Sequence, residues 1–291
     1  MIRRLAILGV GLMGGSLALA LKRTGLVETV VGAGRGRDNL EQALKAGVID
    51  VIAATPAEAV QGADMIVLAV PVGAMPGLMD QIAAEVGVGA VLTDVGSTKQ
   101  DVVAAARTLL PGQLDRFVPG HPIAGAETSG VAAAHADLYR GKDVILTPLP
   151  ENDAQAVDRV REMWQGCGAH VESMSAEVHD RVFAAVSHLP HLAAFALMDE
   201  LAGRENSTLF FRHAGSGFRD FTRIAGSHPE MWRDVALANR EALVTELDAY
   251  IDRLVHLRDL VNAADRDALM AVLSRASHAR QQWAQGKMRT G

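Results

Sequence analysis

A glycine-rich turn at residues 9–14 constrains the fold of this chain more than any other sequence feature. The segment reads G-V-G-L-M-G, follows the apolar run Leu5–Gly9, and precedes small and apolar residues. In such a turn Gly9 permits the sharp bend, Gly11 lets the backbone approach a pyrophosphate, and Gly14 lets the next helix pack closely on the strand. Between a first strand and a helix, this motif predicts a Rossmann-like domain that binds a dinucleotide; a glycine-rich turn without a ligand is the alternative.

Strand and helix patterns alternate up to about residue 175. The predicted strands are Leu5–Gly9, Thr29–Gly32, Met65–Val70, Ala90–Asp94, Arg116–Pro119, Asp143–Pro148 and His170–Ser173. The predicted helices between them are Gly15–Thr24, Leu40–Ala46, Val72–Val86 and Asp153–Gly166. The strands are short and apolar on both faces, as in a buried parallel sheet. Alternating units of this kind imply a doubly wound sheet with right-handed crossovers.

Long helical patterns replace the strands after residue 175. They cover Ala176–Ala202, Pro229–Asn262 and Arg266–Gln285. A helix of about 30 residues spans about 45 Å, so its apolar stripe needs a partner. The fold class is therefore α/β plus all-α. We expect a dinucleotide-binding domain at residues 1–174 and a helical domain at 175–291 that binds substrate and forms a homodimer. A helical cap packed only on its own chain is the alternative.

Composition excludes several other classes of protein. The 291 residues are 49% hydrophobic, carry a net charge of −6, and contain no block rich in lysine or arginine, so a nucleic-acid partner is not expected. No apolar run of about 18 residues and no secretory signal is present, which argues against a membrane span. The single cysteine, Cys167, cannot form an intramolecular disulfide. A cytoplasmic location is expected.

The end of the second predicted strand bears on cofactor choice. Residues 31–37 read V-G-A-G-R-G-R, and no acidic residue follows until Asp38. An acidic residue here binds the ribose 2′-hydroxyl of NAD, whereas Arg35 and Arg37 suit the 2′-phosphate of NADP. NADP or dual use is favoured over NAD alone, and solvated arginines are the alternative. The expected cofactor-binding residues are Gly9, Gly11, Leu12, Met13, Gly14, Arg35, Val70, Pro71 and Ser97.

Polar segments interrupt the apolar background at three places. The first, residues 93–99 (T-D-V-G-S-T-K), ends a strand, so Ser97 and Lys99 are expected to reach cofactor or substrate, although Ser97 could equally cap the next helix. The second, residues 120–130, places His121 on a predicted loop between Gly and Pro, where it suits proton transfer at neutral pH. The third includes His188 and His191, which would share one helix face; two histidines alone make a metal site improbable.

Three motifs behind the glycine turn carry a family resemblance. They read G-H-P-I-A-G-A-E-T-S-G at residues 120–130, S-H-L-P-H at 187–191, and F-R-D-F-T-R-I-A at 218–225. In this order the set resembles the TyrA family of prephenate and arogenate dehydrogenases, and the likeness covers nearly the whole chain. It implies oxidation of a cyclohexadienol carrying a carboxylate, with hydride transfer to the nicotinamide of NAD or NADP, loss of CO2, and an aromatic product.

The resemblance also implies roles for individual residues. His121 matches the histidine that accepts the hydroxyl proton, Ser97 matches the serine that orients it and touches the hydroxyl, and Arg223 matches the carboxylate-binding arginine. The expected substrate-binding residues are Arg223, His191, Glu127, Asp220 and His188, of which Glu127 and Asp220 form a polar network with Arg223. His179 and His188 are the weaker candidates. A structural role for His121 and an Arg223–Asp220 salt bridge are the alternatives.

Two other functions fit the same pattern less well. β-Hydroxyacid dehydrogenases and imine reductases also join such a glycine turn to a helical domain, but the former depend on a lysine there, and the only lysine after residue 175 is Lys287. A redox-sensing module would bind NAD(P)H without chemistry and would not need His121. The sequence does not distinguish prephenate from arogenate. We expect no fused regulatory domain, and we therefore expect any tyrosine feedback to act at the active site.

Overall fold

The N-terminal part of the chain forms a parallel six-stranded sheet. The computed structural model describes residues 1–125 and 128–286. The strands are β1 (Ile2–Leu8), β2 (Val27–Ala33), β3 (Val51–Ile52), β4 (Met65–Leu68), β5 (Val91–Asp94) and β6 (Phe117–Val118). Their order is β3-β2-β1-β4-β5-β6, and every neighbouring pair is parallel. This is the doubly wound order, in which a crevice opens between the carboxyl ends of β1 and β4.

Helices cover both faces of this sheet. They are α1 (Leu12–Arg23), α2 (Arg37–Lys45), α3 (Pro56–Val60), α4 (Met75–Ile82), α5 (Gln100–Leu109) and α6 (Ala154–Gly166), with 3₁₀ turns at Val72–Ala74, Pro111–Arg116 and Val131–Ala133. Side chains alternate along each strand. Leu5 and Ile7 therefore join the core beneath α1, α2 and α6, while Ala6 and Leu8 join the core beneath α3, α4 and α5.

A second, three-stranded sheet corrects part of the sequence prediction. It contains β7 (Gly120–Pro122), β8 (Asp143–Leu146) and β9 (His170–Ser173); β7 and β8 are antiparallel, and β8 and β9 are parallel. The predicted strands at 143–148 and 170–173 thus form, but outside the parallel sheet. Pro119 follows β6 and has no N–H to continue the ladder. His121 pairs with Ile145 in this second sheet and therefore lies in strand β7, not in a loop.

The predicted long helices are interrupted. The chain continues as α7 (Ala176–Phe183), a π-helical turn Ala184–His188, α8 (Leu189–Ala202), α9 (Ser207–Arg212), α10 (Ser216–Thr222), a 3₁₀ turn Arg223–Gly226, α11 (Pro229–Ala238), α12 (Arg240–Asn262) and α13 (Arg266–Ala284). The π turn precedes Pro190, which lacks the N–H that a regular helix would use. The predicted helix Pro229–Asn262 is two helices, divided at Asn239.

The chain separates into two compact units, Met1–Leu243 and Val244–Gly291. The predicted boundary after residue 174 lies inside the first unit, and the division into residues 1–174 and 175–291 stays a prediction. In the second unit the described residues are mainly helical. Its exposed large apolar side chains are Val244, Tyr250, Ile251, Leu254, Val255, Val261, Met270, Leu273 and Trp283.

One helical stretch in the described chain, Ala176–Ala202, is long and apolar enough to cross a membrane, judged by length and composition only. This stretch carries three polar side chains that are buried inside the first unit, His179, Asp180 and His188. They belong to the site described next.

Candidate active site

The three glycines of the N-terminal turn have different surroundings. Gly9 has φ of 106°, and a Cβ atom there would lie 2.3 Å from the carbonyl oxygen of Ala69. A Cβ on Gly14 would lie 2.3 Å from the carbonyl oxygen of Gly9. A Cβ on Gly11 would meet nothing within 4 Å. Gly9 and Gly14 therefore serve close packing, whereas Gly11 borders the open space that a pyrophosphate needs.

The N-terminus of α1 is suited to an anion. Gly11 is its N-cap, no side chain caps it, and no acidic residue lies in its first turn. Backbone N–H groups without a side-chain cap and the helix dipole favour negative charge at this point. Met13 is half-buried, and its carbonyl accepts a hydrogen bond from the hydroxyl of buried Tyr139 at 2.7 Å. Val70 adjoins Gly9 at the crevice, and Pro71 is exposed beside it. The residues present fit a dinucleotide.

Two exposed arginines follow β2. Arg35 lies on the loop before α2, and Arg37 opens that helix and bonds through Nε to Glu41 at 2.7 Å. Nearby, the amide of Asn39 donates to the carbonyl of Val10 at 2.6 Å and accepts from the N–H of Val131 at 3.0 Å. Arg37 is therefore engaged on its own helix, which leaves Arg35 as the better candidate for a 2′-phosphate.

A buried ion pair supports the turn after β5. Lys99 and Asp94 are fully buried and joined by a salt bridge, and the Lys99 ammonium also donates to the carbonyl of Gly120 at 2.8 Å. Asp94 accepts from the N–H of Gly96 at 2.7 Å and of Gly120 at 3.1 Å. The expectation that Lys99 reaches cofactor or substrate is therefore wrong. Ser97 is half-buried in the same turn and does not cap α5, whose N-cap is Lys99.

A chain of hydrogen bonds runs from His121 into the protein. Nδ1 of His121 lies 2.8 Å from Nε2 of His179, and Nδ1 of His179 lies 2.7 Å from Oδ1 of Asp180. Both oxygens of Asp180 also accept backbone N–H groups at the start of α5, from Lys99 and Gln100, each at 2.8 Å. Helix α7 thus places His179 and Asp180 between strand β7 and the N-terminus of α5.

The ionisation of Asp180 fixes the tautomers along this chain. Burial alone would raise the pKa of Asp180, but the hydrogen bonds from His179, Gln100 and Lys99 outweigh it and hold the pKa below its ordinary value. As an anion, Asp180 accepts a hydrogen bond from Nδ1–H of His179. Nε2 of His179 then accepts from Nδ1–H of His121, and Nε2 of His121 carries a lone pair. The geometry therefore makes Nε2 of His121 the basic atom of the site.

Burial favours the neutral form of both histidines. Burial lowers the pKa of His121 well below its ordinary value, and the charges of His179, Lys99 and His188 act in the same direction. Burial also lowers the pKa of His179, although its hydrogen bond to Asp180 opposes the shift. A neutral His121 can accept a proton, which is what a general base must do.

Further histidines contact Trp232 on α11. The ring of His191 stacks on Trp232 with centroids 3.7 Å apart, and its Nδ1 lies 2.9 Å from the carbonyl oxygen of Ser187. The ring of His188 meets Trp232 edge to face at 6.1 Å. Burial lowers the pKa of His191, a hydrogen bond to Ser187 opposes this, and the positive charge of Arg223 contributes to the lowering. The charge of Arg223 therefore reaches the ring of His191.

Comparisons with known proteins identify the family of this chain. Residues 17–173 match the family description of the nucleotide-binding domain of prephenate dehydrogenase, and residues 175–275 match that of its dimerization domain. The chain belongs to the prephenate dehydrogenase family. This confirms the family resemblance and the fold class predicted from the sequence.

Individual members of the family match over most of their length. A prephenate dehydrogenase of Bacillus subtilis is 39% identical over 263 residues, which are 90% of this chain and 71% of the relative. A cyclohexadienyl dehydrogenase of Zymomonas mobilis is 35% identical, covering 96% of this chain and 95% of the relative. The crystal structure of an Aquifex aeolicus prephenate dehydrogenase with hydroxyphenyl propionate and NAD+ has a TM-score of 0.90 at 36% identity, covering 97% of this chain and 98% of that one.

Some residues predicted for the site of this family member are exposed or lie outside the described chain. Asp220 is exposed on α10, and Arg223 is exposed at the start of the 3₁₀ turn that packs on α8. Glu127 and Lys287 lie outside the described residues, so the predicted polar network with Glu127 stays a prediction. Sequence reasoning ranked His179 as a weak candidate and missed Asp180. The only available signal was a His-Asp pair near the start of a helix, which is not specific.

Proposed function

We propose that this chain catalyses the NAD(P)-dependent oxidative decarboxylation of prephenate, arogenate or both, in tyrosine biosynthesis. The observation that carries the proposal is the hydrogen-bonded chain from Asp180 through His179 to His121, which leaves a lone pair on Nε2 of His121. A binding module that only senses the cofactor has no need of such a base. Family membership supports the same reaction class.

Different residues of the chain have different roles in the reaction. When bound, the nicotinamide cofactor supplies the hydride acceptor for the ring carbon that bears the hydroxyl. Nε2 of His121 accepts the hydroxyl proton as that carbon becomes a carbonyl carbon. The carbon–carbon bond to the ring carboxylate then breaks and CO2 leaves. Its electron pair completes the aromatic ring, and the oxygen takes back the proton from His121 to give the phenol. Asp180 stabilises the positive charge that His121 acquires, acting through His179.

Substrate orientation falls to the residues around this base. Arg223 binds a substrate carboxylate, because a guanidinium is permanently charged and can donate two parallel hydrogen bonds. His191 lines the pocket from its place on Trp232. Ser97 touches the substrate hydroxyl from the turn after β5, while His179 holds the ring of His121. Glu127 and Asp220 are proposed to hold Arg223, and an acidic group near the substrate side chain would favour arogenate.

The cofactor proposal is NADP or dual use. It rests on the absence of an acidic residue after β2 and on the exposed Arg35 at that point. The first turn of α1, with Gly11 as its N-cap, would receive the pyrophosphate. Leu12, Met13, Val70 and Pro71 would line the crevice around it.

The assembly proposal is a homodimer through the C-terminal helices. The described part of the second unit exposes a series of apolar side chains on α12 and α13, including Ile251, Leu254 and Leu273. A stripe of this kind needs a partner surface in water. The family description of residues 175–275 as a dimerization domain supports the assignment of substrate binding and dimerisation to residues 175–291 and of nucleotide binding to residues 1–174.

The test is a two-by-two assay of prephenate or arogenate with NAD or NADP, followed by the absorbance of the reduced nicotinamide. Turnover in any combination supports the reaction class, and the most active combination identifies substrate and cofactor. Cofactor binding to folded protein with no turnover in all four combinations would favour the sensing module instead.

A further inference from the structure

The side chain of Asn239 lies between two parts of the site. Asn239 is the C-cap of α11, directly after its last residue, and is 4% exposed. Its Nδ2 atom lies 2.7 Å from the carbonyl oxygen of Asp180 and 3.1 Å from Nδ1 of His188. Both bonds reach far back along the chain, to the helical segment that carries His179, Asp180 and His188.

The hydrogen bond to Asp180 determines which atom is the donor in the hydrogen bond to His188. A carbonyl oxygen only accepts, so the nitrogen of the Asn239 amide, and not its oxygen, must face Asp180. The same nitrogen faces Nδ1 of His188, and an amide nitrogen only donates. Nδ1 of His188 must therefore accept, which places the ring proton of neutral His188 on Nε2. Protonation at Nδ1 would set two N–H donors against each other.

The surroundings of His188 agree with a neutral ring. The residue is 1% exposed, the backbone of Ser97 lies near its ring, and its Nε2 atom is buried with no hydrogen-bond partner among the residues that the structure describes. Burial lowers the pKa of His188 to about 4, with the charge of Asp180 opposing the shift. A positive charge on His188 would make protonation of His121 less favourable, because the two like charges repel.

We propose that Asn239 is a positioning residue for the reaction, which holds His188 as the neutral tautomer protonated on Nε2 and so keeps it an uncharged hydrogen-bond donor facing the Ser97 turn. The claim about the reaction rests on the proposed function, whereas the claim about the tautomer does not.

The attachment of α11 explains why Asn239 can do this. Trp232 and Val235 of the same helix are 8% and 1% exposed and join the core on the α4 side of the parallel sheet. The helix is thus fixed to the nucleotide-binding sheet, and Asn239 stands one residue beyond its end. Two buried hydrogen bonds from one amide tie this end to the segment containing Asp180 and His188.

The tautomer can be measured on the unmodified protein. In a sample labelled with 15N-histidine, the ring nitrogens of His188 are identified by their loss in His188→Gln. We expect an Nε2–H, non-protonated Nδ1 pattern at neutral pH. An Nδ1–H tautomer or a doubly protonated ring would overturn the proposal. This measurement needs no turnover, so it stays decisive even if no dehydrogenase activity is found.

A double-mutant cycle tests whether Asn239 acts through His188. Residues in direct contact are energetically coupled, so we expect Asn239→Ala to lower kcat several-fold or more in the otherwise unmodified enzyme. In a His188→Leu background the same change should alter kcat less than about twofold. Equal losses in both backgrounds would mean that Asn239 only supports the fold, and would overturn the proposal.

A matched control is Asn152→Ser. The Asn152 amide donates to two carbonyls, of Leu114 and Phe117, away from the histidines. Its loss should lower the Tm and leave kcat unchanged. A similar fall in kcat for this control would show that general destabilisation accounts for the Asn239 effect.

Discussion

Nδ1 of His121 lies 2.8 Å from Nε2 of His179, and the two rings meet edge to face with centroids 5.0 Å apart. Since His179 is in turn bonded to Asp180, the proton on His121 is confined to Nδ1. The two histidines are 58 residues apart in sequence, and only the packing of α7 against α5 and β7 joins them. The basicity of Nε2 of His121 therefore depends on all three residues and not on one histidine alone.

Replacing Asp180 by Asn should lower kcat without a matching rise in substrate KM. The change removes the negative charge that stabilises protonated His121 through His179. A charge-assisted hydrogen bond is worth about 1.5–3 kcal/mol, so the expected loss is roughly 10- to 100-fold. Asp153→Asn is the control, since Asp153 also caps a helix with its carboxylate but lies outside the site. An unchanged kcat for Asp180→Asn would remove this residue from the mechanism.

His121→Asn should lower kcat by roughly 10²–10⁴-fold, because the variant lacks the general base. The cofactor should still bind, since no part of the glycine turn is altered. Steady-state kinetics combined with a cofactor titration measures both quantities. A change in kcat below about threefold would show that another group accepts the proton.

Gly11→Ala should weaken cofactor binding, whereas Gly14→Ala should lower the stability of the fold. An added Cβ on Gly11 meets no protein atom within 4 Å, so the variant should keep the parental Tm but bind the dinucleotide at least about tenfold more weakly. An added Cβ on Gly14 would lie 2.3 Å from the carbonyl oxygen of Gly9. That variant should lose roughly 1–3 kcal/mol or more of unfolding free energy. Equal losses of Tm in the two variants would contradict the distinction.

Arg35→Ala should weaken binding of NADP and leave NAD nearly unchanged. A charge-assisted hydrogen bond to the 2′-phosphate predicts a loss of roughly 10- to 100-fold for NADP alone. Arg37→Ala is the matched control, because Arg37 is already bonded to Glu41 on its own helix. If Arg35→Ala weakens both cofactors equally, the assignment to the 2′-phosphate is wrong.

Stability should decrease as the pH falls below about 6.5. Burial holds the pKa of His121, His179 and His188 below that ordinary value, and the pKa of His188 at about 4. Between the folded and unfolded pKa values the unfolded chain binds more protons, so stability is complete above pH 6.5 and is lost on acidification. His188 alone contributes on the order of 3 kcal/mol across this window.

Unfolding by denaturant at several pH values measures this effect. His188→Gln should make the dependence of the unfolding free energy on pH shallower, since one of the three buried groups is gone. His170→Gln replaces an exposed histidine and should leave the slope as it is. An unchanged slope in His188→Gln would contradict the prediction.

The sequence alone determined the local features of this protein. The turn at residues 9–14 predicted the strand, the helix and the open space at Gly11, because a G-x-G-x-x-G motif encodes its own backbone geometry. The ordered motifs around His121, His191 and Arg223 predicted the family, and the comparisons confirmed it. Those inferences needed only neighbouring residues or the order of short segments.

Only the tertiary structure decided how the polar groups are paired. Lys99 looked like a ligand-binding residue from its place after β5, but it is buried against Asp94. Asp180 carried only an unspecific sequence signal, yet its carboxylate sets the tautomers of His179 and His121. The physical reason is that a buried polar group must find its partner wherever the packed helices and strands bring one within hydrogen-bond distance, and no local pattern records that distance.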